Sequence, residues 1–539
     1  MQVRRSFWPL SRSGIVFVLT TVLANTGFCQ QTVKTADADC AKCHAEIYRQ
    51  YLATPMANAS GPAVDHLFAG DFTHAPSGVR YKVFREQNQA WLSFNDVHDP
   101  RIAGKRRFDY FLGSGHLGAT YLYTQEGYLL ESPVAWYAAT AGYDMKPGFG
   151  RMTEMPPALP TEPSCLRCHM SGVAHAQPGT INRYTGLPFQ QTGITCEGCH
   201  GDTSAHVRTA GKASVVNPAR LSAERRDSLC LSCHLEGDVS VERALRSALD
   251  YRPGDRISDY LSFFVFAGKD SLSRGVSEVE QLSTSDCKRA SGDRMSCTSC
   301  HDPHRSPEAA ERVPYYRAKC LNCHSAPEFA GTHHPETPDC ASCHMPRSAA
   351  QNIPHVAWTD HRILRRPELA PMRPQGDGPL IAVFSPQVDQ RDAAVAGYQA
   401  VVRGKSRDRE AAMEKLKQIY AAGARDPQVL EGLGVLAGLA GDSTESERRF
   451  RELLEVQPSD LTALSDLGVL LARQGNIQAA IATWQPAFAR NEDVIGLARN
   501  LAAAYCRAGD DASAREAMAD ALRFSPGVRT AWSFSCRTK

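Results

Sequence analysis

The segment Cys297-Thr298-Ser299-Cys300-His301-Asp302-Pro303-His304 sets two thiols three residues apart, an imidazole directly after the second, and another imidazole three residues on. The Cys-X-X-Cys-His unit at its start recurs at Cys40-Ala-Lys-Cys43-His44, Cys165-Leu-Arg-Cys168-His169, Cys196-Glu-Gly-Cys199-His200, Cys230-Leu-Ser-Cys233-His234, Cys320-Leu-Asn-Cys323-His324 and Cys340-Ala-Ser-Cys343-His344. Each run is the attachment signature of a c-type haem. The two thiols add to the two porphyrin vinyl groups, and the histidine turns back beneath the ring to ligate the iron. The sequence therefore predicts seven covalently attached haems c, each with one motif histidine as its proximal ligand.

Cys-X-X-Cys is also half a zinc ribbon, but zinc has no need of a histidine directly after the second cysteine. Only 18 of 539 residues are histidine, so seven coincidences argue against zinc. A disulfide framework fares no better, because adjacent Cys-X-X-Cys pairs make strained, redox-active bridges.

Residues 1–29 read as a secretory signal peptide: Arg4, Arg5 and Arg12, then an apolar run from Gly14 to Leu23, then small residues up to Gly27. That run is too short to span a bilayer, and no later stretch reaches the necessary length. A soluble periplasmic or secreted protein is expected. The formal charge of +2 omits two propionates per haem, so part of the basic complement is expected to pair with them. No basic run with interleaved aromatics suggests nucleic-acid binding.

The motifs fill a haem domain at 36–365. A Pro- and Gly-rich stretch at 366–390 reads as a linker, with Pro367, Pro371, Pro374, Pro379 and Pro386. Beyond it, 391–527 repeats every 34 residues: Leu433, Leu467 and Leu501 are in phase, as are Gly434, Gly468 and Ala502, Gly441, Gly475 and Gly509, and Phe450, Trp484 and Met518. This is the tetratricopeptide pattern of helix, tight turn and helix, with a degenerate copy from Arg391 to Pro427. The expected fold is mainly α: a multihaem domain with little regular structure and one small β-hairpin at Val79–Phe94, turning near Gln87-Asn88, followed by an α-helical solenoid.

Eleven histidines lie outside the motifs: His66, His74, His98, His116, His175, His206, His304, His333, His334, His355 and His361. His304 is too close in sequence to reach the far face of its own haem, and a rigid Pro step hands it to a neighbour. His206 stands in the same relation to His200. His116 follows Gly113-Ser114-Gly115, where glycines let backbone lie against a porphyrin. Either His355 or His361 can return to an earlier haem, and adjacent His333 and His334 cannot both serve. His66 and His98 read as surface residues. Met170 and Met345 read as packing residues, Cys287 as a buried thiol or a thiolate ligand, and Cys506 with Cys536 as a possible disulfide.

The haem domain resembles the multihaem cytochromes of the c-552/c-554, doubled Cys-X-X-Cys-His type, in a version fused to C-terminal tetratricopeptide repeats. The resemblance rests on Cys40–Met56, Gly113–Tyr123, Ser132–Tyr137, Cys196–His206, Cys297–His304, Cys343–Pro346 and Thr359-Asp360-His361. It implies closely packed haems forming an electron wire in the periplasm. By the same resemblance His116, His206, His304 and His361 are the distal-ligand candidates.

Two functions follow as expectations. In the first, the chain relays electrons between redox protein partners docked through the repeats. In the second, one haem with an open position acts on a small nitrogen or sulfur compound. There the insert between Cys43 and Cys165 would build the pocket, and Arg101, Lys105, Arg106 and Arg107 would draw in anions, although such a cluster more commonly reads as an ordinary solvated face.

Overall fold

A computed structural model describes residues 37–267, 274–325, 338–350, 352–365, 378–384 and 387–536. The signal-peptide stretch and His333 and His334 lie outside the described residues. No helix among the described residues is long and apolar enough to cross a membrane.

The insert after the first motif departs from the expected single hairpin. Val79–Glu86 and Gln89–Asp96 do form a hairpin, turning through Gln87 and Asn88, both in the left-handed region (φ 46° and 57°), as a type I′ turn requires. Gly70–His74 and Ala103–Phe108 extend it into a four-stranded antiparallel sheet. A second, seven-stranded sheet is built around Gly118–Gln125. Its edge strand Ser60–Pro62 pairs with Tyr110–Leu112 across about fifty intervening residues. Tyr81, Leu92, Phe94, Tyr121, Leu130 and Met145 from the two sheets share one core. The structure is 42% helix and 18% strand, so the mainly α expectation holds in the C-terminal helices and only in part overall: the N-terminal part is rich in β-sheet. The motif segments themselves sit on short helices such as Glu197–His200, Ala223–His234 and Cys340–His344.

The C-terminal part is a run of antiparallel helix pairs from Gln390–Val402 to Asp511–Phe524. The 34-residue phase has a steric cause. The bulky residue of each second helix lies over the small residue of the first: a Cβ on Gly434 would stand 2.7 Å from the Phe450 ring, and one on Gly468 2.2 Å from Trp484. Gly441, Gly475 and Gly509, all with φ between 81° and 87°, close the first helix of successive pairs in the left-handed conformation that glycine adopts freely. The stretch from Arg391 to Pro427 forms a regular pair, Gln390–Val402 and Arg409–Ala421.

Cytochrome and repeat regions share cores at both ends of the solenoid. Within the stretch expected as a linker, Leu380–Val383 is a strand that pairs with Leu261–Phe266, which in turn pairs with Val239–Glu242. The helix Gln390–Val402 packs on this small sheet through Val395 and Tyr398. There Asp392, fully buried, accepts from the Ser262 hydroxyl at 2.6 Å and pairs with Arg243 at 3.1 Å. At the far end Phe524 enters the core of the two large sheets.

Cys506 and Cys536 are disulfide-bonded and tie the tail to the last repeat. Closing a loop of 30 residues contributes about 3–4 kcal/mol in the chain-entropy account. Reduction is therefore expected to lower the thermal midpoint of the repeat region, and a melt indifferent to a reductant would contradict this.

Candidate haem centres

Each motif winds into a helical turn. The histidine amide donates to the carbonyl of the first cysteine at 2.8 Å in His44, 2.9 Å in His200 and His301, and 3.0 Å in His324. Residues i, i+3 and i+4 then share a face, so both thiols and the imidazole point the same way. None of the fourteen motif cysteines is in a disulfide. Among the described residues, no three His, Cys, Asp or Glu side chains gather as a metal cluster of the zinc kind.

The motifs line one continuous cavity of about 4130 Å³, which reaches cysteines of the first six of them, from Cys40 to Cys320. Apolar side chains that would otherwise face water, such as Ile47, Leu187 and Val207, line it. A lining of this kind suits flat apolar macrocycles.

The imidazoles provide the sharper test of fit. His44 faces His206 with ring centres 6.4 Å apart and planes 15° from parallel. His200 faces His304 at 6.0 Å and 9°, and His301 faces His361 at 6.3 Å and 30°. Metal–imidazole bonds of about 2 Å set two rings that share one metal roughly 6 Å apart, centre to centre. Five Nδ1 atoms are spent on backbone carbonyls: His200 on Val216 at 2.8 Å, His206 on Ala213 at 2.7 Å, His361 on Thr359 at 2.9 Å, His169 on Ala59 at 3.3 Å and His344 on Leu364 at 2.6 Å. That anchor fixes the tautomer and aims Nε2 at the metal, the usual outer-shell arrangement of a ligating histidine. Burial pushes His169 and His304 below the usual imidazole range, and burial with nearby His361, His234 and Lys319 takes His301 down to about 4. These three rings stay neutral, which is the ligating form. The residues fit haem c.

The pairings cross between motifs. His206 follows the third motif and faces the histidine of the first, His304 follows the fifth and faces the third, and His361 follows the seventh and faces the fifth. His116 lines the same cavity, on a loop where Gly113 and Gly115 both have positive φ (94° and 79°), but faces no motif histidine among the described residues. The other described histidines are placed elsewhere. His74 is buried with Nδ1 on Ser77 and Nε2 on Gly150, His355 pairs with Asp144 at 2.8 Å, and His175 with Asp250 at 3.4 Å. His66, read as a surface residue, packs against Phe68 and Phe111 with a buried, unpartnered Nε2.

Thiols of different motifs also meet. Cys40 touches Cys196, Cys168 touches Cys233, Cys230 touches Cys297, and Cys320 touches Cys340. Asp37 accepts from the Cys196 amide at 2.9 Å, and Ser60 donates to the His169 carbonyl at 2.7 Å, so distant segments are pinned beside their neighbours. Burial pushes the Cys287 thiol up, away from a thiolate ligand. Met170 is buried in an apolar cluster.

The expected anion funnel is not there. Arg101 pairs with Asp99, Lys105 with Glu86 and Arg107 with Asp109, while Arg106 donates to the Arg523 carbonyl. None of the four lines the cavity. Lys105, Arg106 and Arg107 lie on the strand Ala103–Phe108 of the four-stranded sheet, and the charges of Arg101, Lys105 and Arg107 are paired with acids.

Comparison with known proteins points to the same cofactor. The doubled CXXCH motif profile matches residues 290–329, and the cytochrome c554 and c-prime profile matches residues 143–201. The multiheme cytochrome MtrA of Shewanella baltica (strain OS185) is 24% identical over 178 residues, 30% of this chain and 52% of that protein. The chain fits a multihaem cytochrome c with a tetratricopeptide-like region. It spans about half the length of that curated relative. Among solved structures, MamA residues 41-end from Desulfovibrio magneticus RS-1 is 21% identical, covering 26% of this chain and 77% of that one, with a TM-score of 0.24. YrrB, a TPR protein with an unusual peptide-binding site, is 17% identical, covering 26% and 72%, also with a TM-score of 0.24.

Proposed function

We propose that this chain is an exported seven-haem electron relay. Residues 1–29 are removed on export, 36–365 carry the haems, and 391–527 dock redox protein partners, with 366–390 joining the two. The observation that carries this reading is the set of cross-motif imidazole pairs, His44 with His206, His200 with His304 and His301 with His361. When bound, haem c supplies a one-electron iron couple, which bis-histidine ligation keeps low in potential and low-spin. The chain's own part is to hold the iron sites close together. The thiol contacts support an order in which the first motif neighbours the third, the fourth neighbours the second and fifth, and the sixth neighbours the seventh. Because the repeats share cores with the cytochrome, a partner bound on them would sit at a fixed position relative to the haems. Purified protein is expected to carry seven covalent haems by mass and to show predominantly low-spin ferric signals in low-temperature EPR. A count well below seven, or mainly high-spin iron, would sink the relay.

One observation favours a second reading, an oxidoreductase of small nitrogen or sulfur compounds at an open iron. His169 and His234 face no second imidazole among the described residues, and His116 is the one cavity-lining histidine outside the motifs there that is not set against a motif histidine. A high-spin signal that shifts on adding nitrite, hydroxylamine or sulfite would move this reading ahead.

A further inference from the structure

The turn between the helices Ile477–Phe488 and Ile495–Ala508 departs from the repeat pattern. Where Pro458 and Pro526 close their copies, this one carries Asn491-Glu492-Asp493. The turn is pressed onto the cytochrome. The Tyr128 hydroxyl donates to the Arg490 carbonyl at 2.7 Å and accepts from the Glu492 amide at 3.2 Å, while Asn491 Nδ2 donates to the Gly179 carbonyl at 2.8 Å. Asp493 is carried in with them. It is 2% exposed, and no donor reaches either of its carboxylate oxygens. The groups around it do not answer its charge. Arg183 faces it but spends its guanidinium on Tyr128, with Nη1 3.4 Å from the hydroxyl and the cation 4.9 Å from the ring centre. Glu492 faces it as a second acid and is paired with Arg523. Tyr123 and Tyr128 face it from the sheet, both phenols that burial keeps protonated. Asn182 stands against it, but its amide nitrogen is committed to the Leu129 carbonyl at 2.7 Å and its Oδ1 is itself buried without a donor. A sealed carboxylate with neither donor nor counter-ion is strongly disfavoured, so the group takes a proton instead. Burial pushes the Asp493 carboxyl up to about 6.

We infer that the Asp493 carboxyl is a proton-operated latch between the repeats and the cytochrome: protonated, it seats the 490–494 turn against Tyr128 and Asn182, and ionised, it lets that turn lift. In the lifted state the carboxyl stands in water and ionises near its ordinary value of about 4. Below that, both states hold the proton and the contact has its full strength. Between about pH 4 and 6 only the lifted state gives its proton up to water, so opening gains about tenfold per pH unit and about a hundredfold in all. Above about 6 both states are ionised and the dependence ends. The contact is thus tightest in acid and weakens as pH rises. What this does to a docked partner rests on the relay reading above: acid would hold this stretch of the repeats fast against the cytochrome, and neutral pH would free it. The latch itself does not depend on that reading.

The test is amide hydrogen exchange on the full haem-loaded chain, with haem content measured first and rates corrected for intrinsic exchange across roughly pH 4–8. The segments 490–494 and 180–184 report the latch. Their opening is expected to rise about a hundredfold between about pH 4 and 6 and then level off. In Asp493→Asn, which has no charge to shed, opening should stay at the acid level throughout. A native profile flat across that window would overturn the latch. So would the same rise persisting in Asp493→Asn, which would trace it to other carboxylates. Should that variant fail to fold, the native protein decides alone: the rise must be confined to the two segments, and one shared equally by the segment around Arg529 would overturn the assignment. If a hard cation rather than a proton neutralised the carboxyl, added calcium would close the segments at neutral pH, and that too would overturn it. A native protein lacking covalent haem would sink the relay, which is a different result from a loaded protein whose exchange ignores pH.

Discussion

Replacing His304 with alanine is expected to turn one low-spin iron high-spin and to open that iron to carbon monoxide. His304 is the ring that faces His200, 6.0 Å away and nearly parallel, and its backbone is fixed by the Pro303 step and by its amide on Asp302 at 2.9 Å. His304 belongs to the fifth motif's segment, so the expected casualty is not the fifth haem but the third. The haem of Cys297 and Cys300 should keep its signature, because His301 still faces His361. Loss of an axial imidazole changes spin state outright, so the effect is one whole iron's worth of signal rather than a fractional shift. His206→Ala should strip the ring that faces His44, and His361→Ala the ring that faces His301, each by the same logic. An unchanged low-spin spectrum in His304→Ala would dissolve the cross-motif arrangement. A high-spin signal that also abolished the fifth haem's low-spin signature would mean His304 serves its own segment.

Sequence reasoning reached some of this site and missed other parts for identifiable reasons. Local chemistry was legible. The motif spacing dictates a turn that presents thiols and imidazole together, and the tight Cys-His-Asp-Pro-His run shows that its second imidazole cannot fold back on its own haem. The repeat phase was legible because it is a packing rule, with Gly468 small because Trp484 covers it. Which ring meets which was not, since His206 and His44 are 162 residues apart and only the assembled cavity brings them together. Part of the seven-stranded sheet was hidden because Ser60–Pro62 pairs with Tyr110–Leu112 far along the chain, and because Tyr128–Glu131, buried along most of its length, shows no alternation to read. The strand Leu380–Val383 was hidden by its surroundings. It is short, flanked by glycine and proline, and defined only by its partner Leu261–Phe266 over a hundred residues away. The basic run at Arg101–Arg107 bears out the solvated-face reading over the anion funnel. Its acids are close in sequence, Asp99 and Asp109 two residues from the arginines they neutralise, and a count of positive charges ignores them.

Arg529→Ala is expected to cost about 3 kcal/mol and to loosen the repeats from the cytochrome, because removing one partner of a buried pair strands the other charge. The Arg529 guanidinium donates through Nε to Asp96 at 2.8 Å, through Nη1 to the Thr153 carbonyl at 2.9 Å and through Nη2 to the Ser77 carbonyl at 2.6 Å. The Asp96 side chain has no exposure to solvent, so it cannot replace the lost cation with water. Exposed pairs in the repeats provide the contrast. Arg451 with Glu447 lies on a solvated helix face at i,i+4 spacing, and Arg451→Ala should change stability by about 0.5 kcal/mol or less. The two substitutions remove the same side chain from the same solenoid, so a difference between them isolates the interface. The damage should also have a direction. Phe524, which stacks edge-on to Tyr128 at 5.2 Å, enters the sheet core just before Arg529, so protease cleavage near 525–530 should appear in Arg529→Ala before any loss of haem. Equal melting shifts for the two variants, or haem loss preceding cleavage, would mean that the solenoid is not clamped at this end. A partner proposed to dock on the repeats would then move with respect to the haems.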